Sequence, residues 1–134
     1  MHMQSNNPAN NPGKAIVVIV VEDEPRVRMA AVGAFEDAGF EVLDAKNAAA
    51  AMLILGKQGA RVQALFTDVE MPGAMDGLML AKQIHQDWPL ICVMVASGQV
   101  NPTAGEMPEN SRFFKKPYNL DDVVAHIRTR ALAA

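Results

Sequence analysis

The chain has 134 residues, half of them apolar, and a formal net charge of −3. That length fits one domain with a sizeable core, and the acidic balance argues against nucleic acid as a partner, which calls for a basic surface. The longest apolar stretch, residues 48–55, falls far short of the roughly 20 residues needed to cross a bilayer, so no membrane contact is expected.

Residues 1–13 are rich in Asn and Pro and read as a disordered tail or linker; residues 14–134 form the folded domain. The polar start shows no signal-peptide pattern. The single cysteine, Cys92, lies in an apolar run, which excludes a disulfide within the chain and fits a buried thiol in the cytoplasm. Residues 15–21 are continuously apolar and β-branched, the pattern of a strand buried on both faces. Pro25 opens a helix, with Val27, Ala31, Ala34, Phe35 and Ala38 as its apolar stripe and Gly39 as its stop. A short strand is expected at residues 40–43, then a helix capped by Asn47 and running to about Lys57.

The third strand spans residues 62–67 and ends at a Met71-Pro72-Gly73 breaker. Asp76 caps the next helix, which Pro89 closes after Trp88. A fourth strand is expected at residues 90–95. A shorter, more polar fifth strand at residues 112–115 belongs at a sheet edge. Asn119 caps the last helix, whose Leu120, Val123, Val124, Ile127 and Ala131 share one face. Between the fourth and fifth strands, Gly98, Pro102, Gly105 and Pro108 oppose a long helix, so the fourth helix is expected short or irregular. Strands alternating with helices imply an α/β, doubly wound parallel sheet of flavodoxin-like order 2-1-3-4-5. The methionines read as core filler, and the three histidines show no metal-ligand spacing.

Four of the five strand ends carry a reactive group. Glu22 and Asp23 follow the first strand, Asp68 the third, Ser97 the fourth and Lys116 the fifth. In a parallel sheet these ends share one rim, where such folds bind ligands. Three carboxylates there repel one another unless a cation lies between them, and a hard divalent ion such as magnesium suits oxygen donors. Lys116 supplies a point charge and Ser97 a hydrogen-bond donor. Taken singly, each has a plainer reading. Glu22 or Asp23 caps the helix at Pro25, Asp68 or Ser97 forms a local turn, and Lys116 is solvated.

Four segments together resemble the receiver domains of bacterial two-component response regulators of the CheY-like type. They are Val21-Glu22-Asp23-Glu24-Pro25-Arg26, Thr67-Asp68-Val69-Glu70-Met71-Pro72-Gly73 with Met75-Asp76-Gly77, Ala96-Ser97-Gly98, and Lys115-Lys116-Pro117-Tyr118. The resemblance implies that Asp68 is the phosphoacceptor. It implies that Glu22, Asp23, Asp68 and the Glu70 backbone carbonyl hold magnesium, with manganese as a substitute. Ser97 and Lys116 then act on the phosphoryl group, and Ser97 and Phe113 form the switch. The implied donor is a sensor histidine kinase or a histidine phosphotransfer protein, and the implied bond before Pro117 is cis. The protein would be a signalling receiver that catalyses its own phosphotransfer and dephosphorylation rather than an enzyme in the usual sense. Because the sequence ends just after the last helix, a stand-alone receiver is expected. The alternatives are a receiver excised from a hybrid histidine kinase and a phosphorylation-independent binding module. A phosphatase of the haloacid dehalogenase type would need an Asp-x-Asp motif on the first strand, where Glu22-Asp23-Glu24 stands instead.

Overall fold

The computed structural model, which describes residues 15–133, has five parallel strands and four α-helices, alternating along the chain except between the fourth and fifth strands. The strands are β1 (Val17–Val21), β2 (Glu41–Ala45), β3 (Ala64–Asp68), β4 (Cys92–Ser97) and β5 (Arg112–Lys115). The helices are α1 (Pro25–Asp37), α2 (Ala48–Gln58), α3 (Gly77–Asp87) and α4 (Leu120–Ala133). The sheet order is β2-β1-β3-β4-β5, the expected flavodoxin-like order, with β5 on an edge. The proposed tail, residues 1–13, lies outside the described residues. Among the described residues, no helix is long and apolar enough to cross a membrane.

Two apolar layers cover the sheet because β1, β3 and β4 send alternate side chains to opposite faces. Ile19, Leu65 and Val95 pack with Ala51 and Leu55 of α2 and Leu80 and Ile84 of α3. Val18, Phe66 and Met94 pack with Ala31 and Phe35 of α1 and Val123 and Ile127 of α4. Phe35, fully buried, lies edge-on to Phe66 with ring centroids 5.9 Å apart. Each helix begins on the expected signal. Pro25 opens α1, Asn47 accepts from the Ala50 amide at the start of α2, Asp76 from Met79 in α3, and Asn119 from Asp121 in α4. The cap of α1 is Glu24, which accepts from the Arg26 amide, rather than Glu22 or Asp23.

Several strand boundaries differ from the sequence reading: β1 starts at Val17 rather than Ala15, β2 ends at Ala45 rather than Leu43, and β3 spans Ala64–Asp68 rather than residues 62–67. Phe40 belongs to the turn that closes α1, not to β2. Gly39 takes φ +94°, and the Gly39 and Phe40 amides donate back to the Glu36 and Phe35 carbonyls. This turn also stacks Phe40 against Phe35, so β2 starts one residue later. Leu90 is 96 % exposed in the turn after α3, and β4 starts at Cys92 and extends to Ser97. The β4–β5 crossover carries no α-helix but a 3-10 turn at Ala104–Glu106, held by a reciprocal Thr103–Glu106 capping box, as its prolines and glycines predict. Most of the described methionines fill the core as expected, with Met52, Met71, Met75 and Met107 packed against the α2–α3 layer. Met94 is buried, but Met29 and Met79 stand on outer helix faces, 63 % and 50 % exposed.

Candidate functional site

The ends of β1, β3 and β4 meet on one rim. Asp68 is the last residue of β3 and sits opposite Ala96 of β4; beyond it, the Val69 amide donates to the Ala96 carbonyl. On the other side, the Glu22 amide extends the β1–β2 ladder by donating to Ala45. Glu22 and Asp68 are each 7 % exposed, whereas Asp23 points to solvent. One carboxylate oxygen from each of Glu22, Asp23 and Asp68 lies within 4.8 Å of the others. The Lys116 ammonium stands 2.6 Å from Asp68 Oδ1. Three carboxylates against one ammonium leave excess negative charge, and all the donors are hard oxygens. That set fits a magnesium-sized divalent cation.

The backbone holds these side chains in place. The Lys116 amide donates to the Ser97 carbonyl at 2.9 Å, and the Lys116–Pro117 bond is cis. The buried Thr67 hydroxyl donates to the Asp68 carbonyl. Glu22 is fixed twice. Its carboxylate accepts from the Glu24 amide at 3.0 Å, and its carbonyl accepts from the Arg28 guanidinium, which also pairs with Asp44. A small cavity of about 10 Å³ opens between Glu22, Asp68, Lys116, Ala31, Phe66 and Tyr118. Tyr118 forms one wall, edge-on to Phe66 at 5.4 Å.

Charge crowding shows in the titration of the groups. Burial, reinforced by the charge of Asp68, pushes Glu22 up to about 7, against the opposing Glu24 amide and Lys116. Burial also raises Asp68, and the hydrogen bond and charge of Lys116 only partly offset it. Burial works to lower Lys116, but bonding to Asp68 and the charges of Asp68 and Glu22 outweigh it and raise its pKa. The site thus gains from any added positive charge.

Of the residues named from sequence, Glu22, Asp23, Asp68 and Lys116 come together. Ser97 ends β4 on the same rim, fully buried, with its hydroxyl bonded to Glu70 rather than to Asp68. Phe113 is half-buried on β5, opposite Val95, and packs against the α2–α3 layer. Cys92 is a buried free thiol that desolvation pushes up to about 11, against the opposing Arg130, so it is inert at neutral pH. Four participants escaped the sequence reading. They are Thr67, Tyr118, the side chain of Glu70, and Gly77, which opens α3 hard against the Asp68–Val69 backbone. Thr67, Gly77 and Tyr118 stand in motifs adjoining the named residues, but nothing local marks a role for the Glu70 side chain.

Known proteins resemble this chain in sequence and fold. Residues 18–128 match the family model of the response regulator receiver domain. The response regulator receiver protein CpdR of Brucella abortus is 31 % identical over 121 residues, covering 87 % of this chain and 98 % of that protein. The sensor kinase CckA of the same organism is 31 % identical over 114 residues; the match covers 83 % of this chain but only 12 % of the kinase. Among solved structures, the receiver domain of the hybrid histidine kinase CckA superposes with a TM-score of 0.73 at 27 % identity, covering 86 % of this chain and 98 % of that one. A receiver domain protein from Clostridium thermocellum reaches a TM-score of 0.81 at 21 % identity, over 88 % of this chain and 95 % of that one, which bears on the fold alone. The extent of the family match and the 31 % identity across nearly all of CpdR settle the membership: this chain belongs to the response regulator receiver domain family.

Proposed function

We propose that this receiver domain accepts a phosphoryl group on Asp68 from a phosphohistidine and signals by protein contact. The observation that carries the reading is the buried Asp68 carboxylate, 2.6 Å from Lys116 and grouped with Glu22 and Asp23. The donor is a sensor histidine kinase or a histidine phosphotransfer protein, and the reaction belongs to the cytoplasm. An Asp68 oxygen attacks phosphorus in line. The histidine N–P bond breaks, and the leaving imidazole nitrogen keeps the electron pair and takes a proton. Lys116 follows the charge from the carboxylate onto the transferred oxygens. Glu22, Asp23, Asp68 and the Glu70 carbonyl would hold magnesium, or manganese, which screens the charge on those oxygens. Attack of water on phosphorus later releases phosphate and restores the carboxylate.

The phosphoryl group adds negative charge and acceptor oxygens to the rim. Ser97 donates to it, and the rearrangement reaches Phe113 on β5, which strand alternation places on the same sheet face as Ser97. The two relatives represent two settings, a receiver protein and the receiver part of a hybrid kinase. The length of the native gene separates them.

The test is intact mass after incubation with magnesium and a small acyl phosphate. The expected result is one added phosphoryl group, labile in base and absent in Asp68→Asn. Phe113→Ala is expected to leave the mass gain intact and weaken partner binding. No mass gain with any donor overturns the reading.

A further inference from the structure

The Ser97 hydroxyl has one hydrogen to donate and two lone pairs to accept with. All three are used. Oγ accepts from the Gln99 amide at 3.2 Å and the Val100 amide at 2.9 Å, and it donates to Glu70 Oε2 at 2.5 Å. The residue is fully buried, so no water stands ready to replace a lost partner. A phosphoryl oxygen on Asp68 can receive that hydrogen only if Glu70 gives it up. Glu70 also lies close enough for its negative charge to act on Asp68, so a phosphoryl group there would repel it.

Resting on the reading of Asp68 as phosphoacceptor, we infer that the Glu70 carboxylate is a positioning residue that latches Ser97. It holds the hydroxyl hydrogen in the resting protein and opposes its capture by a group on Asp68. A hydrogen bond to a charged acceptor is among the stronger kinds, so the latch should reduce capture on the order of tenfold or more. Charge repulsion alone would act through Asp68 and would not need Ser97. The latch acts only through Ser97, and a double-mutant cycle separates the two.

The experiment titrates beryllium fluoride, a tetrahedral mimic of a carboxylate-bound phosphoryl group, into the magnesium-loaded protein. Affinity and the Gln99 and Val100 amide resonances are followed by NMR. Glu70→Ala is expected to tighten binding about tenfold and to shift both amides before any ligand is added. Glu70→Gln, which keeps an uncharged acceptor, should tighten it less. In the Ser97→Ala background, Glu70→Ala should tighten binding much less, by the part due to charge repulsion on Asp68 alone. Equal tightening in both backgrounds, or none in either, overturns the latch while leaving Asp68 as the acceptor. Failure of every variant and of the wild type to bind overturns the acceptor reading and the latch with it.

Discussion

Gly77→Ala links the fold to the site most directly. A Cβ at Gly77 would stand 2.7 Å from the Asp68 carbonyl carbon and 2.8 Å from Val69 Cα, and nearer still to the Asp68 carbonyl oxygen. Every atom it meets is backbone, so no side chain can rotate away. Relieving the overlap requires a separation on the order of 1 Å between elements packed as densely as a molecular crystal. The Asp68 peptide is tied to the Thr67 hydroxyl and, through Val69, to the Ala96 carbonyl. Any shift of that peptide therefore moves the Asp68 carboxylate, the proposed acceptor. Overpacking of this kind costs about 1–3 kcal/mol, readable as a lower urea midpoint. Displacement of the reacting group by about 1 Å should slow phosphorylation by roughly 100-fold, measured by mass. Gly33→Ala is the control. Its Cβ meets nothing within 4 Å inside α1, so a gain of about 0.5–1 kcal/mol is expected. Wild-type stability and phosphorylation rate in Gly77→Ala would refute the reasoning.

Two further outcomes follow from burial and charge. The folded state raises Glu22 from the ordinary carboxylate value to about 7, so it favours the protonated form. The stability this contributes is complete below about pH 4.5 and is lost as pH rises toward 7, a loss on the order of 1–2 kcal/mol after allowance for solvent screening. Denaturation without divalent ions should show this fall, Glu22→Gln should flatten it, and magnesium at pH 7 should reverse it; an unchanged slope in Glu22→Gln would count against the assignment. Phe35→Ala empties a fully buried position between Phe40 and Phe66 and should cost about 3–5 kcal/mol in urea denaturation. A loss under about 1 kcal/mol would contradict the packing described.

What was legible in the sequence is what local physics controls. Asn47, Asp76 and Asn119 were readable as caps because a side chain satisfies amides two or three residues away. β1 was readable because a strand buried on both faces is apolar throughout. The crossover after β4 was readable because proline and glycine act locally on the backbone. The start of β2 was misplaced because apolarity does not distinguish a strand residue from one that closes a helix turn, and Phe40 does the latter. Leu90 shows the same ambiguity, an apolar residue left in solvent by the turn that follows α3. In the site, charge type and strand-end position sufficed to name Asp68 and Lys116. The contact between Ser97 and Glu70 joins residues 27 apart, and no periodicity encodes it.

The sheet divides the site into two compartments, and that division governs how a signal can leave. Asp68 shares its face with Phe66, and Lys116 and Tyr118 close the cavity on that side. Ser97 and Phe113 belong to the other face, over the α2–α3 layer. The two sides meet where the Lys116 amide donates to the Ser97 carbonyl, at the junction of β4 with the chain beyond β5. A group added to Asp68 that draws on both Lys116 and Ser97 therefore pulls on the two ends of one hydrogen-bonded bridge. The element with least packing to resist is β5, four residues long, with a partner strand on one side only. Its approach is a crossover with no α-helix, anchored by the Thr103–Glu106 capping box and the Ser111 hydroxyl on the Pro108 carbonyl. Segments held by so few buried contacts open at low free-energy cost. Movement started at Asp68 should thus be expressed at the β5 edge and the loop leading into it, where Phe113 and the exposed Arg112 and Lys115 meet solvent.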